Sequence, residues 1–282
     1  MTVSPAETDV RLRDGRTLHV YDVGPADATP LIWHHGTPNI GAPPTPLFAD
    51  ATRLGLRWVS YDRPGYGGST PNPGRDIASA AADVAAMADA LGLDRFAVIG
   101  HSGGGAHALA CAALLPARVR AAVSVSGLAP YAADGLDWYA GMADSGVASL
   151  RAAAEGREAK ERFEAAGDAG EPGFTPGDES ALSGRWSWCI DVVRPAIAAG
   201  PAAPIDDDLA AVAPWGFDPA RITAPTLLLH GTADRMVPSS HSEWLAGRIP
   251  SAELRLRPGD GHITVLDAVP DALEWIARQT RA

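Results

Sequence analysis

Cysteine is scarce in this chain: 282 residues contain two, Cys111 and Cys189. They make no C-x-x-C pair, so thiolate metal or redox motifs are excluded, and two buried free thiols are expected. Basic residues are also short, with 23 Lys and Arg against 34 Asp and Glu and a net charge of −11. Without a basic surplus to neutralise phosphates, nucleic acid and anionic membrane are not expected as partners. No apolar run approaches the roughly 18 residues a membrane span needs. Met1 to Val10 has neither a basic start nor an apolar core, so no signal peptide is read there and a cytoplasmic location is expected. No internal repeat stands out. What is present is a hydrophobic content of 46%, enough for a sizeable core in one large α/β domain or two small ones.

Short apolar segments alternate with helical ones over the first 127 residues. Asp9 to Leu12 and Thr17 to Val23 flank Asp14-Gly15 as a hairpin. Leu31 to Trp33 and Leu56 to Tyr61 read as buried strands that run into polar, glycine-rich turns. An Ala-rich helix is expected over Asp76 to Leu91, a strand near Phe96 to Ile99, a helix over Ala106 to Leu115 and a strand over Val119 to Ser126. This alternation predicts a mostly parallel sheet with helices on both faces. It stops after Gly127 and resumes with Pro225 to His230, a helix over Ser239 to Arg248, a strand over Glu253 to Arg257 and a final helix to about Arg278. Residues 1–127 and 216–282 therefore read as a core, and residues 128–215 as a helical insertion. Within the insertion, Ala152 to Ala166 carries the charge pattern of one exposed helix, with solvated carboxylates. Trp138, Tyr139, Met142, Trp186 and Trp188 supply the apolar bulk to pack it down, and Trp138 and Trp188 are candidates to line a pocket.

The most informative stretch is Gly100-His101-Ser102-Gly103-Gly104, which fits G-x-S-x-G between a strand and a helix. A turn that tight strains its central residue, and small neighbours let strand and helix close around it. The product is an exposed hydroxyl at a helix N-terminus. A serine needs a positioned base to become a nucleophile, and the base needs a carboxylate to hold its tautomer. Of eight histidines, His262 is favoured because Gly259-Asp260-Gly261-His262 is a loop at the strand edge on which Ser102 opens. Asp234 follows the penultimate strand on the same edge. Asp62 competes, but its Arg63, Pro64 and glycine-rich loop gives it a structural role, bonding backbone amides or pairing with Arg63. Charge developing on a substrate carbonyl needs preset donors. The amide of Gly103 and, from the turn after the Leu31 strand, the amide of Thr37 are expected to supply them. His101 is added as a substrate-contact candidate.

Taken in order, His35-Gly36-Thr37-Pro38, Asp62 to Ser69, the serine turn, Gly231-Thr232-Ala233-Asp234 and Gly261-His262 resemble the α/β-hydrolase superfamily with a helical cap. The resemblance implies an α/β-hydrolase fold: about eight strands in a mostly parallel sheet flanked by helices, with the cap inserted after the sixth. It also implies Ser102 as nucleophile, Asp234 as acid, His262 as base, and Thr37 and Gly103 as oxyanion amides. No cofactor and no metal are expected. Serine at the turn argues against relatives that cleave carbon–halogen bonds or epoxides with Asp there, and Gly103 against the prolyl aminopeptidase branch.

The leading expectation is a serine hydrolase that cleaves a carboxylic ester or related acyl compound through an acyl-enzyme, with a small-molecule acyl substrate as its partner. Perhydrolysis, carbon–carbon bond hydrolysis and peptide hydrolysis share the same triad chemistry. From other classes, the alternatives are a non-catalytic small-molecule receptor and a metal hydrolase built on His34, His35 and His101; no H-E-x-x-H spacing supports the latter. Substrate and oligomeric state are not legible.

Overall fold

The computed structural model describes residues 4–167 and 170–281. The elements run β1 (Ala6–Arg11), β2 (Thr17–Val23), β3 (Thr29–His34), α1 (Phe48–Leu54), β4 (Leu56–Tyr61), α2 (Ser79–Ala90), β5 (Phe96–His101), α3 (Gly103–Leu114) and β6 (Val119–Val125). After five further helices, α4 (Asp144–Ala154), α5 (Arg157–Ala166), α6 (Pro176–Leu182), α7 (Trp188–Ala198) and α8 (Ala202–Val212), come β7 (Thr226–Gly231), α9 (Ser240–Ala246), β8 (Ala252–Arg257) and α10 (Val269–Arg281). The eight strands form one sheet in the order β1-β2-β4-β3-β5-β6-β7-β8. The β1–β2 and β2–β4 pairs are antiparallel and all others parallel. The first three residues of the stretch read as leaderless, Met1 to Val10, lie outside the described residues.

Alternation along each central strand divides the core in two. Ile32, Val59, Val98, Ala122 and Leu228 face α2, α3 and α9, with Val84, Met87, Leu109 and Leu245 packed on them. Leu31, Trp33, Trp58, Ile99, Val123 and Leu229 face α1 and α10, with Ala51, Leu273 and Ile276 opposite. Both faces are covered, which is why these strands read as continuous apolar runs.

Two expectations are revised. The charged stretch of Ala152 to Ala166 is not one exposed helix: α4 and α5 meet at Gly156, whose φ of 111° breaks the helical path. Its charges are not all solvated either. Lys160 is buried, with Nζ 2.7 Å from Asp208 and donating to Ser149 at 2.5 Å and Glu164 at 2.6 Å. The helix expected from Asp76 begins at Ser79, because the Asp76 carboxylate accepts from the Ser79 amide at 2.8 Å and caps it from outside.

The segment between β6 and β7, loops as well as helices, extends the sheet's own core clusters. Trp138 and Met142 join the α2/α3 side and Trp186, Trp188 and Val192 the other, while Ala196 and Ala203 pack on Tyr66. Among the described residues, no helix is long and apolar enough to cross a membrane.

Candidate active site

Parallel strands end at one edge, and the loops that leave β3, β5, β7 and β8 there carry Thr37, Ser102, Asp234 and His262. Ser102 stands between β5 and α3 with φ 56° and ψ −129°, a strained conformation for a residue with a side chain. The neighbours that permit it have no spare room. A Cβ on Gly100 would lie 2.0 Å from the Gly104 carbonyl oxygen, and one on Gly104 would lie 2.0 Å from that of His34. Only glycine lets β5, α3 and the end of β3 approach this closely.

His262 is buried, and its Nδ1–H donates to Asp234 Oδ2 at 2.7 Å. That bond fixes the tautomer, leaving Nε2 as the acceptor. Asp234 is itself held: Oδ1 accepts from the amides of Met236 and Val237, both at 2.9 Å, and the His230 Nε2 lies 3.5 Å from Oδ2. Burial opposes ionisation of Asp234, but His262 and His230 outweigh it and hold the carboxyl well below its usual range. Burial likewise disfavours a charged His262, while Asp234 and then Asp178 raise its pKa above the ordinary 6.5. Among the described residues no hydrogen bond joins Ser102 to His262. Both line the same cavity, and such contacts commonly tighten only with substrate bound.

The amides of Thr37 and Gly103 have no protein acceptor among the described residues. A Cβ on Gly103 would meet the Thr37 hydroxyl at 2.8 Å, so the two groups are immediate neighbours. His101 lies in the cavity wall, with its Nε2–H donating to the His262 carbonyl at 2.9 Å and its ring 4.8 Å from that of His262. Burial, with His262 next to it, pushes its pKa down to about 3, so it is neutral.

Trp138 and Trp188 are not brought to this cavity. Trp138 packs edge-on against Tyr131, Tyr139 and His241 and donates to the Ala129 carbonyl at 2.9 Å. Trp188 packs against Trp33 in the core. Each is too useful as buried apolar volume to face a cavity. Asp62 binds backbone amides, those of Gly41 at 2.5 Å and Gly68 at 2.9 Å, rather than pairing with Arg63. His34, His35 and His101 take separate partners: Cys111, the Arg63 amide and the His262 carbonyl. Among the described residues no group of three or more His, Cys, Asp or Glu is placed to hold a metal ion.

Sequence reasoning missed two aspartates of the inserted helices. Asp207 of α8 is buried and accepts from the Thr37 hydroxyl at 2.6 Å, Tyr66 at 2.8 Å and Arg63 at 2.5 Å and 3.2 Å. Arg75 stands 2.6 Å away as an ion pair without aligned hydrogen-bond geometry. Arg63 also donates to the carbonyls of His35 and Gly36 and to the Thr37 hydroxyl. Burial alone would raise the Asp207 pKa, but Arg63 and Arg75 hold it well below the carboxylate range. Asp178 of α6 accepts from the amides of His262 at 3.2 Å, Ile263 at 2.9 Å and Thr264 at 2.8 Å, besides closing the capping box with Thr175. The capping-box spacing Thr175-x-x-Asp178 was the only available signal.

The cavity over Ser102 has two lobes, about 500 and 580 Å³, that meet at Thr37, Pro38, Ser102, Pro172, Ile197 and Met236. The larger includes His262 and an apolar wall of Phe174, Leu182, Val193 and Ile263. The smaller lies on the Gly103 side and includes Ser145, Ser149, Glu164 and Asp208.

The chain belongs to the alpha/beta hydrolase family, whose fold model matches residues 29–269. It is 39% identical over 123 residues to a non-heme chloroperoxidase from Streptomyces lividans, covering 43% of this chain and 45% of that protein. It is 36% identical over 97 residues to a bifunctional esterase/perhydrolase from Acinetobacter calcoaceticus, covering 34% of this chain and 35% of that one. The chain thus spans less than half the length of these two relatives. A bromoperoxidase from Bacillus anthracis superposes with a TM-score of 0.77 at 20% identity, covering 98% of this chain and all of that one, which shows the fold.

Proposed function

We propose that this chain is a serine hydrolase that cleaves carboxylic esters or related acyl compounds through an acyl-enzyme, with the inserted helices as the cap over the site. The observation that carries this is the His262–Asp234 bond of 2.7 Å facing the same cavity as the strained Ser102. Ser102 Oγ attacks the ester carbonyl carbon while His262 Nε2 takes its proton. The carbonyl oxygen becomes an oxyanion that accepts hydrogen bonds from the Thr37 and Gly103 amides. Collapse breaks the carbon–oxygen bond to the alcohol, which leaves with the proton from His262. Water then repeats the sequence in reverse roles, releasing the acid and restoring Ser102. Because His262 delivers the leaving group's proton, the alcohol belongs in the apolar 580 Å³ lobe and the acyl chain in the 500 Å³ lobe.

Ser102→Ala tests this. Turnover of a short-chain p-nitrophenyl ester should disappear with the fold intact, and retained turnover in that variant would sink the proposal.

The relatives' names favour one second reading: hydrogen peroxide in place of water at the acyl-enzyme, releasing a peracid and the free serine. Peracid formation from acetate ester and peroxide, dependent on Ser102, is the measurement; its absence while hydrolysis proceeds removes this reading alone.

A further inference from the structure

Two buried carboxylates of the inserted helices end in the loops that carry the proposed machinery, one in each. Asp207 closes on the turn of residues 35–37, where Arg63 and Asp207 together engage the His35 and Gly36 carbonyls and the Thr37 hydroxyl. Among the described residues the Thr37 amide has no acceptor, and it stands beside Gly103. Asp178 takes three successive amides at 262–264, and a Cβ on Gly261 would lie 2.0 Å from its Oδ2, so the loop is drawn onto the carboxylate.

We infer that Asp207 and Asp178 are positioning residues: Asp207 sets the oxyanion amide of Thr37 and Asp178 sets His262, so that the inserted helices complete the catalytic geometry. The inference rests on the serine-hydrolase reading. A buried carboxylate is tolerated only with its partners in place. Swinging the insertion away would strand Asp207 from two guanidinium groups and Asp178 from three amides, so insertion and loops are held as one arrangement. An oxyanion donor displaced by about 1 Å can cost about 10²-fold in rate, so this fastening bears on chemistry. Asp178 has a second effect. The charged and titratable groups facing His262 are Asp234, Asp178 and neutral His101, with His230 behind Asp234. Removing the Asp178 charge therefore favours neutral imidazole.

The test is the pH dependence of kcat and KM on a short-chain p-nitrophenyl ester. Asp207→Asn and Thr37→Val are each expected to lower kcat by about tenfold or more with KM near wild type and an unmoved acidic midpoint, and Thr37→Ser to restore kcat. Asp178→Asn is expected to shift the acidic midpoint to lower pH. Asp207→Asn leaves two buried guanidinium groups poorly paired; should it fail to fold, Thr37→Val carries that arm, because it keeps both the amide and the ion pairs. Wild-type kcat in folded Thr37→Val, an unmoved midpoint in Asp178→Asn, or a raised KM with unchanged kcat overturns the inference. Activity surviving in Ser102→Ala would instead overturn the hydrolase reading beneath it, so the two failures are distinguishable.

Discussion

At the sheet edge, Ser102 is shaped by five consecutive residues and Asp234 is held by amides two and three residues away. In the inserted helices, Asp178 reaches the His262 amide across 84 residues of chain and Asp207 reaches Thr37 across 170. The first kind of support is local and backbone-based, so it follows from glycines and short turns. The second depends on where a whole helical segment settles. On the proposed reading, chemistry and its alignment come from different parts of one chain, the reacting groups from strand ends and the bracing carboxylates from helices packed over them.

The sharpest break of this comparison is at the edge itself. Ser102→Ala should lower kcat by about 10⁶-fold, the cost of losing a nucleophile whose partners then have nothing to activate. Asp234→Asn should cost about 10⁴-fold in kcat with the fold retained, since His262 loses its tautomer. Activity in the wild type should rise with pH as His262 deprotonates. Its pKa is raised by Asp234, so the acidic midpoint should lie above 6.5, falling tenfold per unit below that midpoint, at about slope one. Both are read from steady-state kinetics, and a midpoint below 6.5 would refute the assignment of the base. Gly104→Ala sharpens the local half: its Cβ would meet the His34 carbonyl at 2.0 Å, so thermal unfolding should show a loss of about 1–3 kcal/mol. The smallest effect belongs to Trp188→Phe. Among the described residues its indole nitrogen has no partner, and it packs on Trp33 away from the cavity, so kcat/KM should stay at the wild-type level.

The sheet was legible because its central strands are buried on both faces and separated by turns whose glycines have steric reasons. Asp62 to Ser69 and the serine turn are examples. The candidate triad was legible as a set of positions at one sheet edge because Ser102, Asp234 and His262 each follow a strand within a few positions. The pocket was not. Trp138 and Trp188 are large side chains in the insertion, but burial of that area in the core is worth more than exposing it to a cavity. Nothing local marks Asp207, which stands in the run Asp206-Asp207-Asp208 with three different fates: a pair with Arg157, the Thr37 hydroxyl, and Lys160. Gly156 shows the same limit on a smaller scale, since the charge periodicity across it continued while the backbone did not.

The most direct measurement is mass-spectrometric mapping of the protein after exposure to a fluorophosphonate probe. The account predicts one stoichiometric adduct on the peptide that contains Ser102, absent in Ser102→Ala and slowed in Asp234→Asn. Ester turnover by a protein whose Ser102 stays unlabelled would contradict it.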